Sequence, residues 1–234
     1  MASEQVVGVI GGMGPEAALD FCVKLLRADV VEKESDHLHV ILDNDPRVPD
    51  RSAAIAGTGP DPAHMLVKIA RGLLRSGATV LAMPCNTAHA WYGEVARAVN
   101  VPFPSIIEAT CNAAGETLPE GARAGILATD GTLFVEMYQE ALAARGIIPL
   151  VPEEELQQEV MRAVYGIKRN GVTDEAREVL RGAAAWLVES EASTVILGCT
   201  EVSLALKQND CPVRLVDSTA ALASAVVAIA RGNS

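Results

Sequence analysis

Two cysteines, Cys85 in "MPCNTAH" and Cys199 in "GCTE", stand at the ends of apolar runs that precede predicted helices. A thiol at such a junction lies near unpaired backbone N–H groups and the positive end of the helix dipole, and both favour the thiolate. A thiolate can act as a general base toward a substrate proton. A single cysteine is more often a small buried hydrophobe, and we assign that role to Cys22, Cys111 and Cys211.

An internal repeat sets Cys85 and Cys199 apart from the other cysteines. "VGVIGGMG" resembles "AGILATDG", "TVLAMPCNT" resembles "TVILGCTE", and "IIEAT" resembles "LVDST", in the same order along the chain. Gly8 precedes Cys85 by 77 positions, and Gly125 precedes Cys199 by 74 positions. Because one reactive residue recurs at the same point of both halves, the repeat favours a chemical role, with the two thiols across a shared cleft.

Short runs rich in Val, Ile and Leu alternate with longer stretches of helical spacing. In residues 156–168, for example, Leu156, Val160, Val164 and Ile167 fall on one face of a helix. The apolar runs are "VVGVIGG", "HLHVILDND", "ATVLAMPC", "VPFPSII", "ARAGILAT", "IIPLVP", "STVILGCT" and "VRLVDS". This alternation predicts an α/β fold of two similar domains, each a four-stranded parallel sheet flanked by helices. Ligands bind at the carboxyl ends of such strands, where both cysteines lie, so we expect a pseudo-two-fold pair of domains with the active site between them.

The composition of the 234 residues argues against several classes of protein. The formal net charge of −11 disfavours a nucleic-acid partner, because phosphates require a basic surface. No apolar stretch approaches the roughly 18 residues that span a bilayer, and no basic segment precedes the first apolar run. The five cysteines do not form the pattern of a disulfide framework. We therefore expect a cytoplasmic protein with reduced thiols and no membrane partner.

Five motifs in order resemble a known family. The chain carries "IGGMGPEA", "NDPRVPDR", "MPCNTAH", "YGIKRNG" and "GCTE", which together resemble the aspartate racemase branch of the cofactor-independent aspartate/glutamate racemases. The resemblance implies a two-lobed α/β homodimer that acts on a small amino acid without pyridoxal phosphate or another cofactor. It also implies that residues 1–100 with 209–234 form the first domain and that residues 101–208 form the second.

The same resemblance assigns Cys85 and Cys199 as the two acid/base residues. One removes the Cα proton of aspartate and the other returns a proton on the opposite face, since inversion requires a base and an acid on opposite sides. Fixed donors near the α-carboxylate would stabilise the charge that builds there. The candidate donors are the backbone N–H groups of Gly11 to Gly14, including Gly12 and Met13, together with Asn86, Thr87 and Thr200.

Arg51 and Lys168 are the candidate cations for the side-chain carboxylate of aspartate, and Asp50 is a supporting residue. An arginine can bind a carboxylate through two parallel hydrogen bonds. Each candidate also has a structural alternative. Lys168 could complement the dipole of a helix that ends near Gly171, and Arg51 could pair only with Asp50. Arg47 is a weaker candidate of the same kind.

Glu201 stands where the glutamate racemase branch usually carries a histidine, in "GCTH". That branch also opens with "SG" after an acidic residue, whereas this chain has "IGGMGP". Both departures favour aspartate over glutamate, while a racemase of glutamate or of a broader range of amino acids stays open. Glu201 is either a proton acceptor beside Cys199 or an ordinary carboxylate in the first turn of a helix.

Other functions fit only parts of the sequence. "GMGPEA" matches the loose dinucleotide pattern, with Asp43 or Asp45 as the ribose-binding acid, but this leaves both cysteine motifs unexplained. A two-lobed protein could also bind a small acid without performing chemistry. His37 and His39 would share one face of a strand without a third ligand of suitable spacing, so we predict no metal site. His89 lies either behind the nearby cysteine or on a helix surface.

Overall fold

The structure, a computed structural model, describes residues 5–232 as an alternation of strands and helices. The strands are β1 (Val6–Ile10), β2 (His39–Asp43), β3 (Val80–Ala82), β4 (Arg123–Ala128), β5 (Ile148–Leu150), β6 (Thr194–Gly198) and β7 (Arg214–Asp217). Each of them falls inside one of the apolar runs that predicted a strand. The strand content of the sequence was therefore readable from its Val, Ile and Leu clusters.

Helices fill the segments between these strands. They are α1 (Pro15–Ala28), α2 (Arg51–Ile55), α3 (Ala63–Arg75), α4 (Tyr92–Ala98), α5 (Ile106–Gly115), α6 (Asp130–Phe134), α7 (Met137–Ala143), α8 (Glu154–Asn170), α9 (Asp174–Glu189), α10 (Thr200–Ala205) and α11 (Ser218–Arg231). Short 3₁₀ turns cover Glu34–Asp36, Thr87–Trp91 and Gln208–Asp210. Within residues 5–232, none of the helices is long and apolar enough to cross a membrane.

The strands form two parallel sheets that share one order over three strands, and the second sheet has a fourth strand. The first sheet has the order β2-β1-β3, and the second has the order β5-β4-β6-β7. In each sheet the first strand of its half lies in the middle, with the next strand on one side and the cysteine-bearing strand on the other. The predicted α/β fold with two parallel sheets flanked by helices is confirmed. The pseudo-two-fold relation between the halves stays a prediction.

The predicted fourth strand of the first half, "VPFPSII", is not a strand in the structure. The segment approaches β3 through one hydrogen bond, from the Leu81 N–H to the Pro102 carbonyl, at 2.9 Å. Pro102 and Pro104 have no backbone N–H group, so the segment cannot continue a ladder of hydrogen bonds. Among residues 5–232 the first sheet therefore has three strands, and the prediction of four strands in each sheet was wrong for this half.

The chain divides into two compact units. Unit 1 comprises the residues up to Ile106 and those from Thr219 onward, and unit 2 comprises Ile107–Ser218. Both changes of unit come later in the chain than the predicted boundaries after residues 100 and 208. The second difference has a clear cause, since β7 pairs with β6 from Thr194↔Arg214 to Leu197↔Asp217 and so lies in unit 2. The domain assignment itself stays a prediction.

Each unit has an apolar core built from helix faces packed on its sheet. In unit 1, Leu66, Ile69 and Leu73 of α3 pack into one buried cluster with residues of β1 and β3. In unit 2, the predicted helical face over 156–168 is the buried face of α8, with Leu156 at its margin. Burial of one such side chain contributes about 1.5–3 kcal/mol, so these faces determine where the helices dock.

A buried ion pair fastens the C-terminal helix within unit 1. The Asp29 carboxylate, 3% exposed, accepts hydrogen bonds from Nε and one terminal nitrogen of Arg231, each at 2.8 Å. It also accepts from the Leu38 N–H at 2.8 Å and lies 3.3 Å from Nδ1 of His37. Burial alone would raise the pKa of Asp29, but the hydrogen bonds from Leu38, Arg231 and His37 outweigh burial and lower it.

We expect Asp29→Asn to lower the free energy of unfolding by about 2 kcal/mol at neutral pH, because hydrogen bonds to a charged group contribute about 1.5–3 kcal/mol. Urea titration measures the loss. The folded pKa lies below the unfolded value of about 3.9, so the difference between wild type and variant should shrink as the pH falls below about 4. The exposed neighbour gives the control, Asp36→Asn, which should change stability by less than about 0.5 kcal/mol. Equal losses in the two variants would contradict the assignment.

Candidate active site

Cys85 and the loop after β1 lie at the same edge of the first sheet. β1 pairs in parallel with β3, with Val9 opposite Ala82, so the residues that follow both strands emerge together. Cys85 is 5% exposed and belongs to the same buried cluster as Met13. Within unit 1, the structure therefore brings the first candidate base beside the loop that the sequence proposed for carboxylate binding.

The helix after Cys85 differs from the one that the sequence predicted. Thr87–Trp91 form a 3₁₀ turn, and the α-helix α4 begins only at Tyr92. A 3₁₀ turn aligns few peptide dipoles, and the α-helix predicted to begin at the thiol does not begin there. Asn86 and Thr87 directly follow the thiol and are 2% and 6% exposed. Their polar groups therefore lie inside the fold, next to Cys85.

The loop after β1 is pressed against the loop after β2. The N–H of Gly11 donates to the Asp43 carbonyl at 2.8 Å, and the N–H of Gly12 donates to Oδ1 of Asn44 at 2.7 Å. Gly12 has a φ of +85°, which favours glycine. The N–H groups of Gly11 and Gly12 therefore shape the loop. Those of Met13 and Gly14 remain the candidates for binding a carboxylate.

Arg51 is a buried cation at the start of α2, in the segment that follows β2. Its neighbour Asp50 has a separate role. Oδ1 of Asp50 accepts from the Ala53 N–H at 2.8 Å and so caps α2. Arg51 is 7% exposed, and its guanidinium donates to the carbonyls of Val48 at 3.3 Å and Pro49 at 2.9 Å. Among the described residues its buried Nε has no hydrogen-bond partner. A buried guanidinium with an unused donor is suited to bind an anion.

Arg47, the weaker candidate, is paired elsewhere. Its Nε and one terminal nitrogen donate to the two carboxylate oxygens of Asp45 at 2.8 and 2.6 Å. These hydrogen bonds lower the pKa of Asp45 to about 2. The Arg47 side chain is 83% exposed, so its ion pair stays in contact with solvent. This pairing makes Arg47 a surface residue that holds its own loop.

Cys199 occupies the matching edge of the second sheet. It is the N-cap of α10 and is 4% exposed. Its Sγ–H donates to Oε2 of Glu201 at 3.1 Å, and the Thr200 hydroxyl donates to the same oxygen at 3.1 Å. Glu201 is itself 3% exposed. The structure therefore joins three predicted site residues, Cys199, Thr200 and Glu201, in one buried hydrogen-bonded group.

The protonation state of Cys199 differs from the sequence-based expectation. Burial raises its pKa well above the usual value, and the negative charge of Glu201 raises it further, while Lys168 lowers it. α10 has only six residues, and its dipole does not outweigh these effects. The raised pKa favours the neutral thiol of Cys199, so the prediction that the helix start favours a thiolate was wrong for this residue.

Lys168 lies in the last turn of α8, within electrostatic reach of Cys199. Its ammonium group stands over the ring of Tyr165, 5.2 Å from the ring centre, which is a cation–π geometry. α8 ends at Asn170, and the following Gly171 has a φ of +76°. Lys168 therefore lies where a cation complements the dipole of α8, as the structural alternative predicted. Its positive charge also lowers the pKa of Cys199.

Thr129 and Thr132 are candidate site residues that the sequence analysis missed. β4 pairs with β6 in parallel, with Ala128 opposite Gly198. Thr129 follows β4 and Cys199 follows β6, so both residues emerge at the same edge of the second sheet. The two threonines are 2% and 0% exposed, and their hydroxyl oxygens are 3.0 Å apart. The repeat could have indicated Thr129, because Thr129 in "AGILATDG" matches Gly12 in the "VGVIGGMG" that leads into the loop after β1.

The histidines provide no metal centre in the part of the chain that the structure describes. No group of three or more His, Cys, Asp or Glu side chains among residues 5–232 is arranged to hold a metal ion. His37 contacts Asp29, whereas His39 begins β2 and is exposed. His89 is buried behind Cys85, which decides between its two predicted locations.

Comparison with known proteins finds one family along nearly the whole chain. Residues 10–226 match the family described as Asp/Glu/Hydantoin racemase. Broad specificity amino-acid racemase RacX of Bacillus subtilis (strain 168) is 26% identical over 238 residues, which cover 95% of this chain and 96% of that protein.

Solved structures show the same architecture. Picrophilus torridus aspartate racemase superimposes with a TM-score of 0.87 and 29% identity, covering 97% of this chain and 94% of that chain. An aspartate racemase homologue from Pyrococcus horikoshii OT3 superimposes with a TM-score of 0.76 and 25% identity, covering 97% of this chain and 99% of that chain. The fold therefore extends over the described chain as a whole.

Gly12→Ala should damage the site strongly. A Cβ atom there would lie 2.0 Å from the Asp45 carbonyl oxygen, at a φ of +85°. We expect a loss of about 3 kcal/mol or more in the free energy of unfolding, since left-handed strain of about 1–2 kcal/mol adds to overpacking of about 1–3 kcal/mol. The matched control is Gly57→Ala, whose φ is +71° with no atom within 4 Å. Gly57→Ala should be destabilised only by the left-handed strain of about 1–2 kcal/mol. Similar losses in the free energy of unfolding of both variants, measured by urea titration, would refute the steric argument.

Proposed function

Since the chain belongs to the Asp/Glu/hydantoin racemase family, we propose that it interconverts L- and D-aspartate by a two-base mechanism, with Cys85 and Cys199 as the bases. The enzyme class predicted from the sequence, an amino-acid racemase, is confirmed by the family match and by the likeness to aspartate racemase. One observation carries the mechanistic proposal. In each unit, one buried cysteine follows the strand that pairs in parallel with the first strand of that sheet along the chain.

Racemisation explains why two acid/base residues are needed. Removal of a proton from Cα leaves a planar carbanion, and inversion requires that a new proton arrive on the opposite face. In the proposed reaction, the Cys85 thiolate takes the Cα proton and the Cys199 thiol gives its own proton to the other face. The product then leaves an enzyme with a Cys85 thiol and a Cys199 thiolate, which is the form required for the reverse direction.

The raised pKa of Cys199 supports this assignment of the roles in the free enzyme. A neutral thiol can donate a proton, so the resting enzyme is prepared for the enantiomer whose Cα–H bond points toward Cys85. Glu201 accepts a hydrogen bond from the Cys199 Sγ, and this contact favours the proton-acceptor role over simple capping. As acceptor, Glu201 would take the Cys199 proton when that residue must act as the base.

The polar groups of the two half-sites provide partners for both carboxylates of aspartate. We assign the α-carboxylate to Asn86, Thr87 and Thr200, with the N–H groups of Met13 and Gly14 and the Thr129 and Thr132 hydroxyls. Arg51 and Lys168 are assigned to the side-chain carboxylate, because the buried Nε of Arg51 has no partner among the described residues. The Coulomb attraction of fixed cations also offsets the net charge of −11.

A broader substrate range is the second candidate function. The observation that favours it is the likeness over 95% of this chain to RacX, a broad specificity amino-acid racemase. The two assigned cations, Arg51 and Lys168, distinguish the two proposals. A neutral amino acid has no side-chain carboxylate, so its racemisation does not require a cation at that position. Arg51→Leu should therefore abolish aspartate turnover under the first proposal and preserve turnover of neutral amino acids under the second.

The remaining features of the proposal follow the resemblance to the family. We propose that the enzyme acts without pyridoxal phosphate or a metal, as a homodimer. The proposed cytoplasmic location rests on the five cysteines of the sequence, whose pattern is not that of a disulfide framework.

The decisive test is incubation with L-aspartate in deuterated water, without added cofactor, followed by chiral chromatography and mass analysis. We expect D-aspartate that carries deuterium at Cα. Cys85→Ser and Cys199→Ser should each lower kcat by about 10²–10⁴-fold, the usual contribution of general acid–base catalysis. Cys211→Ser is the matched control, since Cys211 is also buried but has no counterpart in the repeat.

Full activity of either catalytic-site variant would refute the two-base mechanism. If wild type neither racemises nor exchanges aspartate, glutamate and a panel of neutral amino acids should be assayed in the same way. Activity on that panel would identify the broader racemase, and binding of aspartate without exchange would identify a binding protein.

Glu201→Gln separates the proton-acceptor role from capping. The Glu201 charge raises the pKa of Cys199, so its removal should move the pH midpoint of Cys199 alkylation to lower values. Peptide mass spectrometry after timed iodoacetamide treatment measures this midpoint. Glu175→Gln, at an exposed position on α9, is the control and should leave the midpoint in place. An unchanged midpoint in both variants would reduce Glu201 to a capping residue.

A further inference from the structure

His89 is a buried histidine that the proposed mechanism does not use. It is 5% exposed and lies in the 3₁₀ turn that follows Cys85. One ring nitrogen, Nδ1, lies 2.9 Å from the Cys85 carbonyl oxygen, and the other, Nε2, lies 3.0 Å from the Ile106 nitrogen. Both nitrogens of the ring are therefore engaged by the backbone.

These two contacts determine the tautomer of the ring. A backbone N–H group can only donate, so Nε2 must accept the hydrogen bond from Ile106 and cannot carry a proton. Nδ1 then carries the proton and donates it to the Cys85 carbonyl. Burial lowers the pKa of His89 to about 4, although the hydrogen bond to the Cys85 carbonyl opposes this shift, so the ring is neutral near pH 7.

Aromatic packing fixes the plane of this ring. His89 stacks on Tyr92, with ring centres 5.4 Å apart and an interplanar angle of 11°. Tyr92 stacks in turn on Phe103, with centres 4.9 Å apart, and its hydroxyl donates to the Phe103 carbonyl. The imidazole is thus held on its face as well as at both nitrogens, which leaves it little freedom to rotate.

The backbone around Cys85 depends on this ring. The Cys85 N–H donates to the Met83 carbonyl at 2.8 Å, and the Cys85 carbonyl receives the His89 proton. The second partner, Ile106, is the first residue of α5 and the last residue of unit 1 before the chain enters unit 2. His89 therefore ties the peptide of the thiol to the point where the chain leaves its unit.

We propose that His89 is a positioning residue, which sets the direction of the Cys85 thiol by clamping the Cys85 carbonyl to the start of α5. This inference rests on the proposed role of Cys85 as a base. Proton transfer from carbon requires the base to stand close to the proton and in line with it. A displacement of about 1 Å at such a group can lower the rate about 10²-fold.

Two amide variants separate this clamp from simple core packing. The amide nitrogen of Asn in His89→Asn falls near Nδ1 and keeps a donor for the Cys85 carbonyl, but its side chain is too short to reach Ile106. The longer amide in His89→Gln reaches toward Nε2 and keeps an acceptor for Ile106, but loses the donor to Cys85. Gln also fills more of the space of the ring, so packing alone would favour the Gln variant.

We expect the activity to follow the donor to Cys85 and to reverse the order that packing predicts. For aspartate racemisation at temperatures where both variants are folded, kcat of His89→Gln should fall about 10-fold to 100-fold with little change in KM. His89→Asn should keep more of kcat than His89→Gln, even though urea titration should show it to be the less stable variant.

Alkylation by iodoacetamide, followed at each cysteine by peptide mass spectrometry, provides a readout that does not require racemase activity. The rate at Cys85 should change several-fold in His89→Gln and stay nearer to wild type in His89→Asn, while the rate at Cys199 stays constant in both. If wild type is inactive, the proposed function fails, and the alkylation data still decide whether the clamp exists. If His89→Asn does not fold, His89→Gln alone decides.

The inference is overturned if His89→Gln retains wild-type kcat and wild-type alkylation at Cys85. It is also overturned if kcat follows stability in both variants, since that result would make His89 a packing residue only.

Discussion

Parallel pairing between the central strand and the cysteine-bearing strand is the constraint on which both half-sites depend. β1 pairs with β3 and β4 pairs with β6, so in each unit two loops leave the sheet at the same edge. That edge brings Cys85 beside the glycine loop after β1, and Cys199 beside Thr129. In both cases the two loops are distant in sequence. The register of the paired strands brings them together, because it aligns the ends of the strands.

Burial then decides the chemistry of the groups collected there. Full burial shifts a pKa by up to about 3–5 units, or roughly 4–7 kcal/mol, whereas a helix terminus contributes about 0.3–2 kcal/mol. At Cys199, burial and the negative charge of Glu201 both raise the pKa. Together they outweigh the dipole of the short helix α10 and favour the neutral thiol. A neutral thiol can give up a proton, which suits Cys199 to the role of proton donor in the proposed reaction.

The buried charged groups of the molecule fall into two kinds. The Asp29 carboxylate accepts from Arg231 and Leu38 and lies beside His37, so its burial is compensated within unit 1 and its effect is on stability. Arg51 is almost as deeply buried, yet its Nε lacks a partner among the described residues. An uncompensated donor of this kind costs free energy in the free protein, and a bound carboxylate would recover that cost. This contrast, more than burial itself, distinguishes a structural ion from a candidate binding group.

The sequence by itself determined the class of fold, the positions of the seven observed strands and the pair of cysteines that recurs in both halves. Clusters of Val, Ile and Leu identify buried parallel strands directly, and the internal repeat picks Cys85 and Cys199 out of five cysteines. The tertiary structure decided the number of strands in the first sheet. The prolines of "VPFPSII" lack N–H groups, and this prevents a strand only where the segment would have to form hydrogen bonds along β3. The tertiary structure also decided the direction in which the pKa of Cys199 shifts, the two backbone partners of His89 and the burial of Thr129. Each of these depends on burial and on partners distant in the chain, which local residue patterns do not specify.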